Sequence, residues 1–225
     1  AHALKLLAFE SSAKAAGVAV LDDGRLLAEY FQNSGQTHSR TLMQMAENLL
    51  RNCDLGPQDI DACAVADGPG SFTGVRIGVC AINAMAAAFA SPVVAVSSLI
   101  ALKEGLLSGS GPACALIDAR NGNAYAAAFD GNACTMEPSA VTVAELLPTL
   151  PPRTVFVGDG AAAYEAQIAT LVPDARFAPP ERNLLTALPV AQAAWKRFCG
   201  GETVPEAIPL YLRPTQAERL YKGKK

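Results

Sequence analysis

The chain has 225 residues, 51% of them hydrophobic, enough for one large domain or two small lobes with a sizeable core. A formal net charge of −3 argues against a dedicated nucleic-acid surface on this chain alone. Only 17% of residues are charged, too few to coat a whole monomer generously, so a face buried against another protein is expected.

In chain order, apolar runs and turn signals predict strands over residues 4–9 and 17–21, a hairpin at Asp22-Asp23-Gly24, and a strand over 25–30. A helix is expected over 36–53, a strand over 62–66, a helix over 73–90 and a strand over 93–96. Ser97 can cap a short helix that ends near residue 107, and residues 108–112 read as a linker. The order then starts again. Strands are expected over 113–118 and 123–129 around an Arg120-Asn121-Gly122 turn, with a short strand near Cys134. A short helix runs from a Thr142 cap to residue 147, then come a strand over 154–157 and helices over 161–171 and 186–199. Residues 209–214 are extended, and a basic tail follows. Both halves read β-β-β-α-β-α, a repeat of topology rather than of sequence. The expected fold is α/β, with two duplicated lobes in the actin-like, sugar-kinase-like ATPase arrangement. The expected domains are residues 1–108 and 109–225, with the extreme C-terminus packing back on the first lobe.

The run from Asp67 to Gly78 is the most informative stretch. Gly68, Gly70 and Gly74 stand where a strand turns into a helix, with Ser71 and Thr73 able to cap the first turn. Arg76 sits in that turn, where the helix dipole disfavours a cation, so an anion or a partner carboxylate would suit it. The run lacks the Gly-Lys-Ser/Thr of a Walker loop and the Gly-x-Ser-x-Gly of a nucleophile elbow. On glycine content alone, a plain tight turn with a helix cap is the favoured reading.

Two helices read as a docking face. Leu42, Met45, Ala46 and Leu49 make one stripe of helix 36–53. In helix 73–90, Val75, Val79, Ile82 and Phe89 make one face, while Ile77 and Met85 lie elsewhere on a helix apolar all round, which should be covered on two sides. A charge placed at Leu49 or Ile82 is expected to break association and leave the chain folded.

Other candidates are sparser. Glu10 and Ser12 end the first strand, and Asp118 ends its counterpart in the second half, where actin-like folds face a nucleotide cleft. Gly158 and Gly160 follow a later strand and are read as part of the same vestigial cleft or as a plain β–α turn. His2 and His38 form no metal motif, and six scattered cysteines read as reduced core thiols. No catalytic or metal-ligating residue is assigned and no cofactor is called for. No apolar run appears long enough to span a membrane and no leader is evident, so a cytoplasmic protein without a membrane partner is expected.

The segment Gly68-Pro69-Gly70-Ser71-Phe72-Thr73-Gly74-Val75-Arg76-Ile77-Gly78, followed by Val96-Ser97-Ser98-Leu99, resembles the TsaB (YeaZ) family. So do Thr37-His38-Ser39, Asp118-Ala119-Arg120-Asn121-Gly122 with Tyr125, and Pro209-Leu210-Tyr211-Leu212-Arg213. The resemblance implies a cytosolic, two-lobed, non-catalytic relative of TsaD. Such a protein pairs with TsaD through two helices of the first lobe, dimerises with itself when alone, and is joined by the ATPase TsaE. It also implies work in making N6-threonylcarbamoyladenosine beside the anticodon of tRNAs reading codons that begin with A, with tRNA met only through the complex. Glu10-Ser11-Ser12 departs from the family's usual Asp-Thr-Ser, which bears on any nucleotide site. The rival readings are an autonomous actin-fold ATPase or small-molecule kinase working through Glu10 and Asp118, and a metallopeptidase, which the missing paired histidines oppose.

Overall fold

Two five-stranded sheets of the same design follow one another in the computed structural model, which describes residues 3–106 and 111–213. In the first sheet, β1 (Lys5–Glu10), β2 (Ala16–Asp22) and β3 (Arg25–Gln32) form an antiparallel meander. The turn from β2 to β3 places Asp23 and Gly24 at positive φ, the conformation a two-residue Asp-Gly hairpin needs. Helix α1 (His38–Asn52) leads to β4 (Ala62–Gly68), which lies parallel to β1. Helix α2 (Phe72–Phe89) leads to β5 (Val93–Ser97), parallel to β4, and α3 (Ser98–Glu104) follows.

The second sheet repeats this with β6 (Pro112–Asp118), β7 (Asn123–Asp130), β8 (Ala133–Thr142), α4 (Val143–Leu146) and β9 (Val155–Val157). Then come α5 (Asp159–Ala163), α6 (Glu165–Leu171), β10 (Arg176–Phe177) and α7 (Ala187–Cys199). The orders β3-β2-β1-β4-β5 and β8-β7-β6-β9-β10 are the same permutation. The chain has the two-lobed α/β actin-like architecture.

Central β1 shows why its run is continuously apolar: Leu6 and Ala8 enter one core, and Leu7 and Phe9 enter the other. Helices α1 and α2 cover the Leu7/Phe9 face. The Leu6/Ala8 face meets α3 and α7, which also cover Ala113, Ala115 and Phe129 of the second sheet. Helix α7 follows the second sheet in sequence yet packs on β1 and β2 of the first. A third core lies under α4–α6.

Several local expectations are corrected. The short strand near Cys134 is the full-length β8. The helix over 161–171 breaks at Tyr164, whose hydroxyl reaches the carboxylate of Asp118 at 2.8 Å and the carbonyl of Asn123 at 3.0 Å. Thr142 precedes α4 without a side-chain capping bond. All six cysteines are free, but only Cys63 and Cys114 are buried, and burial pushes both thiols up to about 12. One helix, α2, is long and apolar enough to cross a membrane by length and composition, contrary to the sequence reading; it packs on β4 and β1. Residues 108–110 of the linker, Pro214 and the basic tail lie outside the described residues.

Candidate functional site

The glycine corner is built for close packing between two chain segments. Gly70, Gly74 and Gly78 face the end of β1, where a Cβ on each would sit inside 3.0 Å of the Ser12 carbonyl, the Ser11 carbonyl and the Ser11 hydroxyl. Two hydrogen bonds use that proximity: the Ser71 amide donates to the Ser12 carbonyl at 2.7 Å, and the Ser11 hydroxyl donates to the Gly74 carbonyl at 2.8 Å. Gly68 has φ of 110° and leaves room for the Leu210 carbonyl at 2.9 Å from its would-be Cβ. Ser71 caps α2, accepting from the Gly74 amide at 3.2 Å, while Thr73 is exposed in the first turn.

Two donors that an anion would want, the Ser71 and Gly74 amides, are therefore occupied within the chain. The Arg76 guanidinium lies over the Phe72 ring, 5.3 Å from its centroid, and that ring stacks on Tyr211 at 4.5 Å. The ring face offers the cation an electrostatic partner at the helix end that repels it.

Glu10 does not face the cleft. It is fully buried, and one carboxylate oxygen accepts from the Ser12 amide, the Ser12 hydroxyl and the Ala13 amide at 2.7, 2.7 and 3.1 Å. Among the described residues the other oxygen has no partner. Burial outweighs those three bonds and pushes the carboxyl up to about 7. Ser12 also accepts from the Ser98 hydroxyl at 2.8 Å, and the His38 ring bonds the Ala13 carbonyl at 2.9 Å. The corner after β1 thus touches the starts of α1, α2 and α3 together.

Between the lobes lies a cleft of about 610 Å³. Ser12, Lys14, His38, Gly70 and Ser71 line one wall; Asp118, Arg120, Tyr125, Asp159 and Asn183 line the other. Asp118 is already engaged, accepting from the Arg120 amide at 2.8 Å as well as from Tyr164. Asp159 accepts from the Asp118 amide at 2.9 Å, and desolvation raises its carboxyl above the ordinary range. Gly158 and Gly160 pack on the Leu116 carbonyl; their role there is close approach of α5 to β6. The cleft therefore gathers Ser12 and Asp118 of the sequence-chosen set and excludes Glu10. Among the described residues, no cluster of three or more His, Cys, Asp or Glu is placed to hold a metal ion.

The two helices expected to dock point their chosen residues inward. Leu42, Met45, Ala46 and Leu49 of α1 and Val75, Val79, Ile82 and Met85 of α2 are buried in the chain's own core, with Ile77 and Phe89 packed against its edge. Leu49 and Ile82 are both 0% exposed, so a charge at either breaks the fold rather than an association. The outward strip of α2 is Phe72, Thr73, Arg76, Cys80, Ala84, Ala87 and Ala88.

The family described as TsaD, tRNA N6-adenosine threonylcarbamoyltransferase, matches residues 26–192. The chain belongs to the TsaD family, on its TsaB (YeaZ) branch. Over 98% of its length it is 29% identical to the whole of the tRNA threonylcarbamoyladenosine biosynthesis protein TsaB of Escherichia coli (strain K12). It is 38% identical to the protein of that name from Bacillus subtilis (strain 168) over 122 residues, 54% of this chain and 53% of that one. The match thus spans about half the length of the Bacillus relative. The solved structure of YeaZ from Pseudomonas aeruginosa superposes with a TM-score of 0.78 at 28% identity, over 93% of this chain and all of that one. A ROK hexokinase from Thermus thermophilus, 12% identical, superposes at 0.52 over 88% of this chain and all of that one, a likeness of fold alone.

In this TsaB-family chain, the extended segment expected near residues 209–214 is part of a longer strap from Val204 to Arg213 that crosses the first lobe. Val204 exchanges backbone bonds with Val93, and the Asn83 side chain bonds both the amide and the carbonyl of Ala207 at 2.9 and 3.0 Å. The signal was present: Asn83 is a lone amide in an otherwise apolar stretch of α2, and such a group needs partners when half-buried.

Proposed function

We propose that this chain is a non-catalytic subunit in the synthesis of N6-threonylcarbamoyladenosine on tRNA, pairing with a TsaD-like transferase. The observation that carries the reading is the outward strip of α2. Cys80, Ala84, Ala87 and Ala88 present small, uncharged side chains to solvent along a helix whose other side is already buried. Small residues let a second helix approach closely, and an apolar strip of this kind is costly to leave wet. The neighbouring α1 exposes the charged Glu47 and Arg51 and the apolar Met43. The relatives' names support the pathway, and the family match supports a TsaD-like partner. By the same resemblance a TsaE-like ATPase joins the pair, and the complex serves tRNAs that read codons beginning with A.

The kinase reading is weaker on one observation: Glu10, the carboxylate it needs in the cleft, is turned into the protein and held there by three bonds.

Chromatography with light scattering tests the docking face. Mixed with its TsaD-like counterpart, the chain is expected to run as a one-to-one complex. Ala84→Arg, on the exposed strip, is expected to abolish that complex while leaving the chain's circular dichroism and melting unchanged. Retention of the complex by a folded Ala84→Arg variant would move the interface elsewhere.

A further inference from the structure

The strap does more than cover the first lobe, because it ends on the second. Among the described residues, five hydrogen bonds fasten it to the first lobe: two with Val93, two with Asn83, and one from the Leu210 amide to the Asp67 carbonyl at 2.7 Å. Tyr211 then stacks on Phe72 at the start of α2. Arg213, two residues on, donates to the Asn123 side chain at 2.6 Å. Asn123 opens β7, in the chain between the cleft-lining Arg120 and Tyr125.

Asn123 is itself tied into the cleft wall. The Tyr164 hydroxyl lies 3.0 Å from its carbonyl and 2.8 Å from the carboxylate of the cleft-lining Asp118, sharing its one proton between them. Its side-chain amide donates to the carbonyls of Arg120 and Asn121, holding the β6–β7 turn, in which both residues have positive φ. A contiguous set of contacts therefore runs from Arg76 and Phe72 on the outer strip of α2, through Tyr211 and Arg213, to Asn123, Tyr164 and Asp118.

We propose that the strap is an interlobe latch: Arg213 holds the second lobe's cleft wall to a strap seated on α2, and a partner docking on the outer face of α2 is felt at the cleft through it. The asymmetry of its fastenings sets the weak point. Among the described residues, five bonds and a ring stack hold one end and one side-chain bond holds the other, so the latch opens at Arg213 while the strap stays seated. A partner that packs on Phe72 and Arg76 presses on the Tyr211 ring and restrains the chain that positions Arg213. The latch in the free chain stands on its own; the coupling to docking rests on the α2 reading above.

Hydrogen–deuterium exchange on the full chain separates the two. In the free protein, Arg213→Ala is expected to speed exchange of the amides from 118 to 125 by about tenfold, with the β2–β3 turn unchanged. Asn83→Ala, which frees the strap higher up, is expected to do the same and to expose residues 204–211 as well. Unchanged exchange at 118–125 in Arg213→Ala overturns the latch. With the TsaD-like subunit added, the unmodified chain is expected to gain protection at 118–125. Arg213→Ala is expected to bind with similar affinity and lose that gain. Equal protection with and without Arg213 overturns the coupling. A partner that fails to bind the unmodified chain refutes the docking reading and overturns the coupling, and leaves the free-chain result to decide the latch.

Discussion

Replacing Glu10 by glutamine isolates the one buried carboxyl that meets three donors and still leaves an oxygen orphaned. Burial holds its folded-state pKa near 7, against 4.5 for the free side chain. Between those values the folded chain keeps a proton that the unfolded chain has released, so stability falls as pH rises and levels off above about 7. At about 1.36 kcal/mol per pH unit, that window corresponds to roughly 3 kcal/mol. Glutamine keeps an oxygen for the Ser12 and Ala13 donors and has no proton to lose. The difference in unfolding free energy between Glu10→Gln and the unmodified chain should therefore grow by roughly 3 kcal/mol from pH 4.5 to 8. Asp67, raised to about 6 mainly by burial, titrates in both proteins and cancels. The assay is urea unfolding at four pH values with matched ionic strength. A difference that stays flat across the range would refute the burial argument for Glu10.

Two further substitutions separate packing from docking. Gly74→Ala puts a methyl group inside 3.0 Å of the Ser11 carbonyl and forces α2 away from β1. The bonds at risk are Ser71 to Ser12 and Ser11 to Gly74, so a net loss of about 2 kcal/mol is expected from two disrupted hydrogen bonds, set against the helix gain of alanine, and read as a lower urea midpoint at constant slope. Ile82→Ala removes a fully buried side chain and should cost about 2–5 kcal/mol in the same assay, in contrast to the silent Ala84→Arg.

The strand–glycine–helix corner and the duplicated lobes were legible because both are written in local signals: a buried apolar run, turn residues at fixed offsets, and the same succession twice. The direction in which α2 faces was not. Periodicity distinguishes a stripe from its complement only when the complement is polar, and α2 is apolar all round, so its core residues Val75, Val79 and Ile82 passed for a docking face. Glu10 misled for another reason. Strand alternation says which side of the sheet a residue leaves from, but the carboxylate turns back to bond its own following residues, a choice made by Ser12 and Ala13. The glycines mark a tight strand-to-helix corner in the sequence, but what packs against them, Ser11, Ser12 and Leu210, shows only in the structure. Helix α7 was invisible as a part of the first lobe, and the strap's anchor at Asn83 was not foreseen, because these contacts join residues more than a hundred positions apart.

The lateness of α7 in the sequence bears on how this protein is made. The first sheet is complete at Ser97 and α3 follows at once, but α7, which covers the β1 and β2 part of its Leu6/Ala8 face, ends at Cys199, roughly 100 residues later. At a synthesis rate of about 5–20 residues per second, that part waits for roughly 5–20 s without its cover. During translation the nascent chain carries an open apolar sheet, and it is then that a chaperone has something to hold.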